Sequence, residues 1–174
     1  MAAKRYLALV DGFKRLVSGT VQSAGVANAG DIPALDDNGR LDPTLLPPGV
    51  GAAVVMATAT EALTAGRFVD LYLNAGVLSV RLADASTGRA ANGFVLANVA
   101  MAAQATVYRS GDNNQLTGLT IGSRYYLSAA TPGGIVNVPL DPTDPANEDF
   151  IHQFVGEATS ATSLAFEYVD PITL

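Results

Sequence analysis

The sequence predicts an all-β protein, in which an N-terminal β-hairpin and an extended proline-punctuated arm precede a β-sandwich or small β-barrel domain. Three observations carry that expectation. Short apolar runs recur between Gly, Asn, Asp and Pro positions. Asp11-Gly12 and Asn74-Ala75-Gly76 each join two such runs with tight-turn chemistry. Nothing alternates strands with long helices as a βαβ unit would, and neither a heptad seam nor a solenoid repeat is visible.

Taken in order, Tyr6 to Val10 and Phe13 to Val17 flank Asp11-Gly12, so Arg5 to Thr20 reads as a hairpin. An isolated hairpin is marginal in water and must pack on the rest of the chain or on another subunit. The arm comes next, from Ala29 to Gly51. Pro33, Pro43, Pro47 and Pro48 deny it regular structure, and Asp37, Asn38 and Gly39 offer a turn. A flexible linker would be polar, yet this one carries Ile32, Leu35, Leu41, Leu45 and Leu46, whose burial is favourable only if something covers them. These five, with Arg40, form the predicted partner-binding set, within an N-terminal region of residues 1–52.

Residues 53–174 are expected to form the β-domain. Phe68 to Leu73 and Val77 to Leu82 read as a hairpin with apolar residues on both faces. Further runs are Gly93 to Val99, Ala105 to Tyr108, Arg124 to Ser128, Ile135 to Val138, Ile151 to Glu157 and Ser163 to Val169. Turns are expected at Gly111 to Asn114, Pro132 to Gly134, Pro139 to Asn147 and Thr159 to Thr162. The alanine-rich stretches Ala59 to Ala65 and Ala97 to Ala103 suggest a helical turn or two.

Composition narrows the function. A hydrophobic fraction of 49% supplies a core, while 15% charged residues leaves a weakly charged surface suited to burial against partners. A formal net charge of −6 with two lysines argues against nucleic acid. Beyond Arg124 seven carboxylates appear with no Lys or Arg, read as a solvated acidic surface. The absence of cysteine removes disulfides, thiol catalysis and thiolate zinc sites, and fits a reducing cytosol. The start of the chain has too short an apolar run for a secretion signal, and no stretch is apolar for long enough to form a membrane helix.

Catalytic patterns are not found, and no catalytic, cofactor-binding or metal-ligating residue is assigned. His152 is the single histidine and reads as a strand residue rather than a base. Asp36 to Asp42 superficially resembles a calcium loop, but its Gly arrives two residues early, so a plain turn is expected, with Asp42 capping the residues after it. Asp141-Pro142-Thr143-Asp144-Pro145 reads as an exposed connection. Ser86 to Arg89 lacks a phosphate-cradle motif. Tyr125 and Tyr126 are adjacent on a strand, which places one in the core and one on the surface.

Several phrases carry a resemblance. Lys4 to Gly12, Gln22-Ser23-Ala24-Gly25 and Ala29-Gly30-Asp31-Ile32-Pro33-Ala34-Leu35-Asp36 resemble tailed-phage virion proteins, in particular capsid decoration (cement) and head-fibre proteins. Those carry a Ser-Ala-Gly step and then an Ala-Gly-(Lys/Asp)-Ile-x-Ala-Leu-Asp-x-x-Gly-(Arg/Lys)-Leu-Asp run, here Ala29 through Gly51. Glu61 to Val69, Ala91 to Val95, Leu116 to Ser128, Gln153 to Ala158 and Ser160 to Thr162 are similar to the β-domains of phage structural proteins. The Ala-Leu-Asp-x-x-Gly-(Arg/Lys)-Leu phrase also occurs in tail-fibre and baseplate proteins; the length and lack of a fibrous repeat favour decoration. The resemblance implies a non-enzymatic protein without cofactors, located on the capsid exterior of the virion. It further implies homotrimers at local threefold axes that stabilise contacts of the major capsid protein. A tail-fibre or baseplate adaptor, and a carbohydrate-binding or depolymerising module contacting host-surface glycans through Tyr125, Tyr126 and the acidic loops, remain the alternatives.

Overall fold

The computed structural model describes residues 5–23, 25–37, 39–42, 45–46 and 53–174. Asn38, Pro43, Pro47 and Pro48, part of the arm chemistry read from the sequence, lie outside the described residues. The chain divides into two compact units, Met1–Gly51 and Ala52–Leu174.

In the first unit, β1 (Arg5–Val10) pairs antiparallel with β2 (Phe13–Ser18) from Arg5↔Ser18 to Val10↔Phe13. Asp11 and Gly12 have φ of 54° and 81°, the left-handed pair that a two-residue hairpin turn with the twist of its strands requires. After the hairpin the chain returns to it. Thr20 N–H donates to Ile32 O at 2.9 Å and Ala34 N–H donates to Thr20 O at 2.8 Å, a short parallel bridge. This approach needs a glycine beside it, because a Cβ on Gly19 would lie 2.7 Å from that of Ala34. A 3-10 turn at Gly25–Asn28 makes the reversal.

The second unit is all-β, as the sequence predicts, and contains a closed barrel of β3 (Val54–Ala59), β5 (Val77–Leu82), β4 (Phe68–Asn74), β6 (Gly93–Phe94) and β7 (Gln104–Tyr108). Pairing is antiparallel except between β3 and β5, which run parallel at Thr58↔Ser79 and Ala59↔Val80. Ala75 and Gly76 form the predicted tight turn between β4 and β5, with φ of 49° and 82°. The barrel is narrow, so small side chains fill it: Ala57, Ala59, Val69, Val80, Val95, Ala105 and Val107, with Leu63.

A five-stranded antiparallel sheet accompanies the barrel, in the order β10 (Ile135–Val136), β9 (Arg124–Leu127), β12 (Phe154–Ala158), β13 (Leu164–Phe166) and β8 (Gly111–Asn113). The alternation of side chains along β4 and its neighbours couples the two. Val69 and Val95 point into the barrel, whereas Phe68 and Phe94 point out and pack with Phe166, Leu127, Val155 and Leu164 in a second core. The rings of Phe68, Phe94 and Phe166 have centroids 5.7–6.2 Å apart in tilted and edge-on arrangements, and the half-buried Tyr108 stacks on Phe94 at 5.6 Å. This explains why the β4 run is apolar on both faces.

Four sequence expectations are corrected. Neither alanine-rich stretch is helical; they pair with each other through Leu63–Val99 and Ala59–Ala102/Ala103 backbone bonds, which bury Leu63 in the barrel. Gly111–Asn113 is a strand, paired with β13 from Phe166 to Leu164. The Gly93 to Val99 run holds strand pairing at Gly93–Phe94 and continues as single bonds from Val95 to Arg67 and from Val99 to Leu63. The Ile151 to Glu157 run is two strands, because β11 (Ile151–His152) pairs with β14 (Ile172–Thr173) and the chain changes sheets at Gln153.

Candidate functional site

The hairpin exposes its apolar residues. Antiparallel register places Leu7, Leu9 and Leu16 on one face, with Leu7 directly opposite Leu16 and Leu9 opposite Lys14. These leucines are 64%, 73% and 62% exposed, and Phe13 on the other face is 69% exposed. Arg5 and Lys14 share the leucine face. The need for a cover over the hairpin was legible in the sequence, but not which of its residues would be exposed.

The arm adds to this surface. Ile32, Leu35 and Leu41 are 50%, 45% and 45% exposed, while Leu45 and Leu46 are half-buried. Arg40 is exposed, and its backbone is held at both ends by Asp36: Arg40 N–H donates to Asp36 Oδ1 at 2.8 Å, and Arg40 O accepts from Asp36 N–H at 2.8 Å. Gly39 closes the same turn onto Asp36 O at a φ of 74°. Asp36 thus commits oxygens of both side chain and backbone to turn geometry. Asp42 does likewise, with its carboxylate accepting from Gln22 Nε2 at 3.1 Å and its carbonyl accepting from Leu45 N–H at 3.0 Å. The carboxylate of Asp31 accepts from Thr20 Oγ1 at 2.6 Å and Asn28 Nδ2 at 2.9 Å. The bond from Thr20, then that from Asn28, hold its pKa below the ordinary carboxylate value. Side-chain hydrogen bonds therefore fix the arm against the hairpin end while Ile32, Leu35 and Leu41 stay exposed.

In the second unit Tyr125 is buried, with its hydroxyl accepting from Thr120 N–H at 2.9 Å, and Tyr126 faces out. Tyr126 lies 4.9 Å from the His152 ring and 6.0 Å from Phe154, and the Arg124 guanidinium covers Phe154 at 4.5 Å. His152 is thus part of an aromatic row on the sheet's outer face. Asp141 binds Thr143 through both its hydroxyl and its N–H, which lowers the Asp141 pKa, and Asp144 caps the Pro145–Asn147 turn. Among the described residues no group of three or more His, Asp or Glu side chains is placed to hold a metal ion.

No protein-family description matches this chain. No curated protein matches it. Among solved structures, the head fiber gp8.5 N base of bacteriophage phi29 is similar at a TM-score of 0.43 and 14% identity, over 67% of this chain and 95% of that one.

Proposed function

We propose that this protein is a non-enzymatic phage capsid decoration protein, which binds the lattice of the major capsid protein as a homotrimer and stabilises the head from outside. The observation that carries the reading is the exposure of Leu7, Leu9, Phe13, Leu16, Ile32, Leu35 and Leu41 on one small N-terminal unit. Covering one such side chain is worth about 1.5–3 kcal/mol, so this unit has much to gain from a neighbour. The phage resemblance of Ala29 through Gly51 supports the major capsid protein as that neighbour. Repetition around a symmetric shell lets modest contacts hold a subunit through avidity.

Replacing Ile32, Leu35 and Leu41 together by Asp tests it. The variant should sediment with capsids at least tenfold more weakly than the wild type, with near-ultraviolet circular dichroism of the β-domain unchanged. Undiminished binding would remove the arm from the contact. A solution mass measurement should return three chains.

The outward row of Tyr126, His152 and Phe154 favours a second reading, a virion module that contacts host-surface glycans. Glycan-array binding lost on Tyr126→Ala would support it.

A further inference from the structure

A cleft of about 410 Å³ opens in the second unit between the turn at residues 64–67, the segment at 115–117 and the stretch at 128–136. We propose that this cleft binds an acidic sugar unit, with Arg67 taking the carboxylate. Arg67 is half-buried and lines the cleft, and its guanidinium has no hydrogen-bond or ion-pair partner among the described residues. Arg81 shows the contrast, since it is bound to Asp70 at 2.8 Å. The donors of this guanidinium reach the cleft without a protein acceptor, and a carboxylate matches the planar fork they form.

The backbone fixes where the group stands. Arg67 N–H donates to Thr64 O at 3.1 Å, and Arg67 O accepts from Val95 N–H at 3.1 Å. Gly133 has a φ of 66°, and a Cβ there would come within 3.0 Å of the Arg67 Cβ, so a glycine keeps the root of the side chain clear. Around it the cleft offers the hydroxyls of Thr64, Thr117 and Thr131 and the Gln115 amide, all on exposed residues. Leu116 and Ile135 add aliphatic surface for the apolar face of a ring. No carboxylate is among the lining residues.

Hydroxyl and amide partners, one cation and a limited apolar wall describe a polyol with a single negative charge. The volume lies in the range of small-ligand sites. Polyanions are disfavoured, because residues 52–174 carry five arginines against eleven carboxylates. Tyr126 is not among the lining residues, and the site does not depend on which partner covers the N-terminal unit.

The test is a nitrogen-15 NMR titration of the full chain with glucuronate, with glucose as the neutral counterpart. Glucuronate should shift the amides of residues 115–117 and 131–134 saturably, and glucose at the same concentrations should not. Arg67→Gln should weaken the glucuronate response at least tenfold, while Arg89→Gln, which alters a half-buried arginine outside the cleft lining, should leave it unchanged. Thr117→Val, on the exposed rim, should weaken it severalfold and serves as a second variant should Arg67→Gln disturb the fold. Absence of saturation with glucuronate, an equal response to glucose, or a wild-type response in both cleft variants would overturn the proposal.

Discussion

Replacing Gln153 by Leu removes one amide from the place where the chain changes sheets, and the bonds that amide makes set the cost. The side chain is 1% exposed; Oε1 accepts from Ala91 N–H at 2.7 Å, and Nε2 donates to Ala91 O at 3.2 Å and Val169 O at 2.9 Å. Leucine fills similar space but leaves both polar groups of the buried Ala91 without partners, while Val169, which is exposed, can turn to water. Two orphaned buried groups at about 1–3 kcal/mol each, partly offset by the less costly burial of an apolar side chain, give a loss of about 3 kcal/mol. That is a large share of the roughly 5–15 kcal/mol by which a domain is stable. Urea unfolding followed through tyrosine fluorescence, to which the buried Tyr125 contributes, should show a midpoint lowered by about 1–3 M with little change of slope. Amide exchange at Ala91 should accelerate in parallel. A Gln153→Glu variant checks the logic: its carboxylate would face the Ala91 and Val169 carbonyls, so its folded pKa would rise above the unfolded value. Its stability should then be closest to wild type below the unfolded pKa and fall as pH rises through the folded one. A midpoint shift equivalent to less than about 0.5 kcal/mol for Gln153→Leu, with slow exchange retained at Ala91, would refute the reasoning.

Two further predictions concern the scaffold and the arm. Gly156→Ala should destabilise the β-domain by about 3 kcal/mol or more, because φ is 147° there and a Cβ would collide with the Ala165 carbonyl of the adjoining strand. Gly118→Ala, at a φ of 71° in open space, should cost about 1 kcal/mol; similar melting temperatures for the two variants would contradict this assignment of the close approach. Asp31 should titrate below the ordinary carboxylate value by NMR and move back up in Thr20→Val. Its bonds stabilise the arm above the unfolded pKa and are lost as pH falls through the depressed folded one, so the Thr20 and Ala34 amides should lose exchange protection in acid. An unshifted titration would detach Asp31 from the arm's fixation.

What the sequence made legible was local. Asp11-Gly12 and Asn74-Ala75-Gly76 announce their hairpins because a tight turn needs positive φ, and Gly12 and Gly76 provide it between apolar runs. Tyr125 and Tyr126 part to opposite faces because a strand has period two. The closed barrel was not legible beside a sandwich, since closure depends on the parallel β3–β5 pairing of segments whose patterns say nothing of each other. The alanine-rich stretches misled because helix propensity is a weak prior, and mutual pairing with burial of Leu63 overrides it. Gly111-Asp112-Asn113 has turn chemistry, yet Asn113 is buried with its amide donating to Gly66 O at 2.8 Å, a use that no local pattern reveals. For the candidate surface, the arm's leucines stood out against its prolines, whereas the hairpin leucines resembled ordinary strand core until their exposure was seen.

In the proposed function, the N-terminal unit seats this protein on a phage capsid. Electron microscopy of virions carrying the chain with a gold-binding tag at its C-terminus tests it most directly. Label should lie at regular lattice positions over the head surface; label confined to the tail or baseplate would rule out the proposed role.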